Sequence, residues 1–461
     1  MSDSLAPVAG DAGPQVPQSG RKRELLIVLG CLVAMLAGGF GAAGIFQPSA
    51  SSSDRDRSSA SGDRAFAQLE QADAARLKAV QDLLRIRSQA ILHHDRRAFV
   101  STLDPKSAAF RLNQKQMFGS LKRVHFASWS YTLGGTGAQA PAAARRRYRA
   151  PTWIPVDLHV HYRLTGFDKQ PTNLPQYPTF VERSGHWYLA SLTDLRHEHS
   201  ATDIWDYAPV HVIRRHDVLV LGPKEELATM ALVADQAQAA IPRVSAVWGR
   251  DWARRVVIIV PSTQREMAEI TDDHQNLNHI AALTSSEFTI TGAGRAPVGD
   301  RVTINPTNWP TFGTLGASIV ITHELTHVAT RAQTGTQTPK WLSEGFADYV
   351  GFREAGVPTS LVAAELSGRI HSGHPVRQLP SDRAFRGGAT LLPEAYESSW
   401  LACRYLAEHY SQGKLVRFYR AVGASDAERH QAITTALRRV FGLRPQEFLS
   451  AWRGYVTAQL G

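Results

Sequence analysis

Two cysteines in 461 residues exclude a disulfide framework, and Cys31 and Cys403 cannot meet if Cys31 lies in a membrane span. Packing, or a metal, must therefore hold the fold. Long apolar runs are also scarce: there is a single one, near the N-terminus, which excludes a polytopic membrane protein. With 43% hydrophobic and 20% charged residues, the chain has neither the low hydrophobicity of wholesale disorder nor the composition of collagen or a coiled-coil rod. Acid is in deficit, 41 Asp and Glu against 51 Lys and Arg, for a net charge of +10. That balance favours anionic surfaces but is shared by many extracytoplasmic and nucleic-acid-associated chains, so charge alone decides nothing; nucleic acid is not an expected partner. On the prior of roughly 100–200 residues per domain, the chain divides into two or three domains.

Residues 1–24 are rich in Pro, Gly, Ser and Ala and close on Arg21-Lys22-Arg23-Glu24, which reads as a disordered tail. Leu25 to Phe46 then runs 22 residues without a charge. At ~1.5 Å per residue this spans about 33 Å, enough for a hydrocarbon layer of about 30 Å. Basic residues flank only its N-terminal end, so the positive-inside rule keeps the tail in the cytoplasm and puts everything after Phe46 across the cell membrane. A cleaved signal peptide, with Gly41-Ala42-Ala43 at the cut, is the alternative; it gives the same destination, although the n-region and the apolar run are both long for a signal. Residues 47–64, with Ser, Gly and balanced Asp and Arg, predict a flexible stalk.

From residue 65 the pattern becomes helical: Leu69, Leu77, Val80, Leu83, Leu84, Ile91 and Leu92 recur largely at three- and four-residue steps. Candidate strands follow at Val124–Leu133, Trp153–Leu164 and Phe180–Ser191, and helices followed by a strand meander predict an α+β layer fold. The basic run Arg145-Arg146-Arg147 with Arg149 reads as a solvated loop rather than a nucleic-acid site, with anionic lipid headgroups near the stalk as an alternative contact. His93, His94, His159, His161, His197 and His199 read as solvated side chains, because no carboxylate or cysteine stands at a shared ligand spacing. Leu84 to Phe99 followed by Leu103-Asp104-Pro105 resembles the opening of NTF2-like (SnoaL-like) cone-shaped domains, and Trp187-Tyr188-Leu189-Ala190-Ser191 resembles their closing strand. The resemblance implies an accessory domain over about residues 65–200.

The chemistry concentrates in Ser318-Ile319-Val320-Ile321-Thr322-His323-Glu324-Leu325-Thr326-His327-Val328. His323 and His327 are four apart, so on a helix both imidazoles leave one face, a chelate geometry. By chance alone a His-Glu-x-x-His string would arise in roughly three such chains in a hundred, so a third ligand is needed to make a metal site. Glu344 stands seventeen residues after His327, in Trp341-Leu342-Ser343-Glu344-Gly345-Phe346-Ala347-Asp348-Tyr349. A loop with Gly335 and Pro339 lets this second helix fold back on the first, where Glu344 can complete a His-His-Glu zinc site and Asp348 can reach a ligand imidazole from behind. A solvated helix face is the bland alternative for Glu344 and Asp348, and the apolar Trp341, Leu342, Phe346, Ala347 and Val350 around them argue against it.

These two segments together resemble the gluzincin zinc metallopeptidases, most closely the peptidase MA-like families. The resemblance implies zinc ligands His323, His327 and Glu344, with Glu324 as general base. Tyr396-Glu397-Ser398-Ser399-Trp400 resembles the helix that in related gluzincins supplies an oxyanion-stabilising tyrosine, which implies that role for Tyr396. Gly442 to Phe448 with Trp452 and Tyr455 is similar to the closing helix. No Gly-Ala-Met-Glu-Asn segment is present, so aminopeptidase activity is not implied. Upstream, Val256–Val260 reads as a buried strand and Asp300–Asn305 as a second strand; because in zincins the edge strand at this place pairs with extended substrate, the resemblance implies a substrate ledge at Thr289–Asn305.

The expected architecture is therefore α+β: a single transmembrane helix (25–46), an NTF2-like domain (65–200) and a zincin-like peptidase domain (205–461) of sheet plus helical C-terminal part. The expected function is a membrane-anchored, zinc-dependent hydrolase of peptide or protein substrates. A non-catalytic extracytoplasmic binding or assembly protein that keeps the zincin core is the alternative; retention of Glu324 argues against it, since a structural zinc needs no base. No residue pattern sets the substrate or the oligomeric state.

Overall fold

The computed structural model describes residues 60–273, 277, 280–291, 294–386 and 389–461. The tail, the apolar run Leu25–Phe46 and the stalk up to residue 59 lie outside the described residues. Among the described residues no helix is long and apolar enough to cross a membrane. Residues 60–64, expected to belong to the stalk, are already helical.

Helix α1 (Ala60–Leu92) buries Val80, Leu83, Leu84, Ala90 and Ile91, a stripe at helical spacing. Asp95 then caps α2 (Arg96–Ser101), its carboxylate accepting from the Ala98 N–H at 3.0 Å, and α3 (Ala108–Leu121) follows. Next come β1 (Phe126–Leu133), β2 (Gly137–Ala138), α4 (Ala142–Tyr148), β3 (Thr152–Pro155), β4 (Leu158–Leu164), β5 (Leu174–Pro175), β6 (Thr179–Arg183) and β7 (His186–Ser191). They form two antiparallel sheets, β1-β4-β5 and β2-β3-β6-β7. The expected strand Trp153–Leu164 is two strands, broken at exposed Val156. Phe180–Ser191 is a hairpin that turns on Ser184 and Gly185, both at positive φ (49° and 76°), the backbone a tight two-residue turn requires. The Arg145–Arg149 run is not a loop: Arg145, Arg146 and Arg147 form the last turn of α4, where cations suit the carbonyl end of a helix, and Arg147 pairs with Asp194 at 2.5 Å.

The second half opens with β8 (His211–Arg214), β9 (Val218–Gly222), α5 (Leu227–Trp248), β10 (Val256–Ile259), α6 (Gln264–Thr271), β11 (Ala282–Thr291) and β12 (Gly294–Ile304). The five strands run in the order β11-β12-β10-β9-β8; β9, β10 and β12 are parallel, and the two outer strands are antiparallel to their neighbours. Strands β9 and β10 are buried at every position, which explains their unbroken apolar runs. Val218, Val220, Val256 and Ile258 pack with Val233, Ala237 and Val244 of α5. The alternate residues Leu219, Leu221, Val257 and Ile259 enter a different core, with Val80, Phe118, Trp129, Tyr162 and Trp205. The apolar interior is thus continuous across residue 200. A buried ion pair reinforces the junction: Arg301 of β12 makes two hydrogen bonds, 2.8 and 2.9 Å, to the Asp168 carboxylate in the β4–β5 connection.

The remainder is helical: α7 (Thr314–Thr330), α8 (Lys340–Phe352), α9 (Thr359–Val362), α10 (Ala364–His371), α11 (Leu392–His409), α12 (Gln412–Gly423), α13 (Arg429–Phe441) and α14 (Pro445–Leu460). Helix α7 lies between α5 and α8, and α8 packs in turn on α11. The last contact depends on Gly345, where a Cβ would stand 2.3 Å from the Ser399 carbonyl oxygen. Only glycine lets α11 come so close, and the same approach carries Tyr396 inward. The expected ledge Thr289–Asn305 needs correction: most of it is β12, which is interior, held by β11 on one side and by β10 at Val302–Thr303 on the other. The outermost strand on this side of the sheet is β11.

Candidate metal centre

Helix α7 is buried almost all round. The hydroxyls of Thr322 and Thr326 bond back to the carbonyls of Ser318 and Thr322 at 2.7 and 2.8 Å, so the core holds no unsatisfied threonine there. Within this helix His323 is fully buried and His327 half-buried, and their Nε2 atoms lie 2.9 Å apart. Helix α8, likewise buried on nearly every side, presents Glu344: its Oε2 is 3.1 Å from His327 Nε2 and 3.5 Å from His323 Nε2. Among the described residues these three side chains are the group that can hold a metal ion.

The triangle fits zinc. Ligands at about 2.0–2.1 Å in a tetrahedron stand about 3.3 Å from one another, and the three separations of 2.9, 3.1 and 3.5 Å bracket that value. Behind His323, Asp348 Oδ1 lies 2.8 Å from Nδ1. With the Nδ1 proton given to Asp348, the imidazole turns a lone pair at Nε2 towards the triangle. Glu344 and Asp348, each 5% exposed, do not form a solvated face.

Charge at the site favours a cation. Burial pulls His327 down to about 4, which keeps it neutral and able to ligate. Burial would also lower His323, but the carboxylates of Asp348 and Glu344 outweigh it and raise the imidazole to about 10. For Glu344, burial would raise the carboxyl, yet His327, His323 and Lys340 together hold it well below the usual carboxylate range. Three carboxylates around two imidazoles attract positive charge, as a proton or as a metal ion.

Glu324 follows His323 on α7 and is 1% exposed. Burial pushes its carboxyl up to about 7. Its Oε2 accepts from the Thr284 hydroxyl at 2.5 Å, whereas its Oε1 is buried with no hydrogen-bond partner. Tyr396 on α11 is buried, with its ring edge-on to Phe385. Burial, then Glu344, Asp348 and Glu324, raise its hydroxyl well above 10, so it remains a donor.

Sequence reasoning missed three participants. Thr284 comes from β11. Arg331, four residues after His327, donates Nη2–H to the Thr284 carbonyl at 3.0 Å and lies 3.6 Å from Asp300. Lys340, four residues before Glu344, places Nζ 3.7 Å from Glu344 Oε1. The last two had a signal in their four-residue spacing from a metal ligand; Thr284 had none. Of the histidines read as solvated, His161 instead bonds Thr132 and the Thr172 carbonyl at 2.9 Å each.

No protein-family model matches the chain, and no curated protein matches it. Solved structures similar to it include an M1 zinc metallopeptidase from Deinococcus radiodurans, 14% identical over 62% of this chain and 59% of that one, with a TM-score of 0.31. A two-domain M1 zinc metallopeptidase mutant bound to L-tryptophan is 15% identical over 62% of this chain and 59% of that one, at a TM-score of 0.30. A mutant from Deinococcus radiodurans bound to a Tyr-Ser-Ala substrate is 13% identical over 73% and 62%, at 0.30. The chain thus spans about six tenths of the length of the first two.

Proposed function

We propose that this chain is a zinc-dependent peptidase held at the outer face of a cell membrane by Leu25–Phe46, with the sheets and helices of residues 65–200 as an NTF2-like accessory module. The observation that supports the chemistry is the triangle of His323 Nε2, His327 Nε2 and Glu344 Oε2, with separations of 2.9–3.5 Å, beside the buried Glu324 carboxylate, which stands outside that group and leaves Oε1 without a hydrogen-bond partner. In this reading the three side chains bind the ion, and Asp348 fixes the His323 tautomer. Zinc bound there would supply Lewis acidity and lower the pKa of a neighbouring water. Glu324 takes the proton of that water on its bare Oε1 and delivers it to the departing amine. Tyr396 donates its hydroxyl proton towards the carbonyl oxygen as negative charge develops there. Beyond Thr284, whose outward carbonyl accepts from Arg331, the outer edge of β11 offers extended peptide a strand to pair with.

The purified full-length chain in detergent is expected to carry about one zinc per molecule and to cut members of a mixed peptide library. Chelation should abolish both, and added zinc should restore both. A chain with no zinc by elemental analysis, or cleavage indifferent to chelation, would refute the proposal.

The anchor has its own test. Protease added to intact cells is expected to release the folded C-terminal region by cutting between Gln47 and Ser59, a stretch without the apolar content that protects a chain. Protection of the whole chain until the membrane is opened would reverse the orientation.

A further inference from the structure

Thr284 is held against α7 at two points. Its hydroxyl lies 2.5 Å from Glu324 Oε2 and 3.2 Å from the Glu324 carbonyl oxygen, and its own carbonyl accepts from Arg331 Nη2 at 3.0 Å. Arg331 follows Glu324 by seven residues and caps the C-terminal end of α7, so one residue of the edge strand is tied both to the metal-binding helix and to the residue that closes it. Strand alternation explains how it can be. The Ala281 carbonyl accepts from Asn305 N–H across the β11–β12 ladder at 2.9 Å. Residues 281 and 283 therefore turn their backbone polar groups to β12, and Thr284 turns its carbonyl outward, where Arg331 meets it.

The Glu324 carboxylate is divided by this arrangement. A hydroxyl has one proton to give, and the shorter contact assigns it to Oε2. The other oxygen, Oε1, stays bare although Glu324 is almost wholly buried. A carboxylate pinned through one oxygen keeps the other in a fixed direction, and Arg331 keeps the strand that carries the pin from sliding.

We infer that Thr284 is a positioning residue that orients Glu324 for proton transfer, leaving Oε1 as the oxygen that takes the proton; this rests on the reading of Glu324 as the base of a zinc peptidase. The side chain touches neither substrate nor metal ligand in this role. It acts through Glu324 alone.

The test uses Thr284→Val, which keeps the shape and removes the hydroxyl, and Thr284→Ser, which restores it, both in the full-length chain. Loss of a hydrogen bond to a charged group corresponds to about a 10–100-fold fall in kcat for the valine variant. KM and zinc content should be unchanged, and the serine variant should recover within about threefold of wild type, about 0.65 kcal/mol. The infrared carboxylate stretch assigned by difference against Glu324→Gln should shift in the valine variant and return in the serine variant. An unchanged kcat in Thr284→Val, or equal loss of zinc and activity, would overturn the inference. Should the wild-type chain bind zinc and cleave no peptide, the peptidase reading fails separately, and an unshifted carboxylate stretch still overturns the role of Thr284.

Discussion

Replacing Glu324 with Gln is expected to leave zinc content and folding unchanged and to lower peptide hydrolysis by about 10²–10⁴-fold, the usual worth of a positioned general base. The amide is nearly the size of the carboxylate, and its oxygen can still accept from the Thr284 hydroxyl that now bonds Oε2 at 2.5 Å. What it cannot do is take a proton. The substitution also removes an ionisable group from a site that is 1% exposed, so the variant should unfold at a temperature no lower than wild type. Zinc by elemental analysis, a thermal melt and kcat on one peptide settle the matter together. A variant that cuts at the wild-type rate removes Glu324 from the mechanism even if the zinc is real. A cellular phenotype rescued equally well by both proteins favours a binding role.

The second large effect belongs to Glu344→Ala, which is expected to lose most of the bound zinc. Two imidazoles 2.9 Å apart would be left with no protein carboxylate to complete the set, and a buried pair of neutral ligands holds an ion weakly. The loss in affinity should exceed the roughly 10–100-fold that removal of an outer partner such as Asp348 costs. Competition with a chromophoric chelator measures it directly. Full zinc occupancy in the alanine variant would take Glu344 out of the ligand set and leave Asp348 or Glu324 to be considered in its place.

The helices that carry the site were legible because their chemistry is local. His323 and His327 share a face by spacing alone, and Glu344 and Asp348 repeat the pattern one helix later. The parallel strand at Val256–Ile259 was equally plain, since a strand covered on both faces has no polar positions to confuse it. Three features were not legible, each for its own reason. The run Arg145–Arg147 reads as solvated loop by composition, yet a helix end accepts cations gladly. Asp300–Asn305 reads as a strand, but which neighbour lies outside it is decided by the β11–β12 hairpin, and no property of its own residues reports that. Thr284 stands forty residues from Glu324, and only sheet pairing brings it there; a threonine in a strand looks like any other.

The two-faced burial of β9 and β10 sets a lower limit on what can be made as a separate piece. A chain begun at residue 205 would keep every side chain of the metal centre. It would also put Leu219, Leu221, Val257 and Ile259 into water as one contiguous plate, together with an Arg301 whose guanidinium had lost Asp168. Such a fragment would be sticky and poorly soluble for reasons unrelated to zinc. The smallest version fit for expression without the apolar run Leu25–Phe46 therefore starts at the first turn of α1, and the N-terminal sheets travel with the helices of the metal centre as one body.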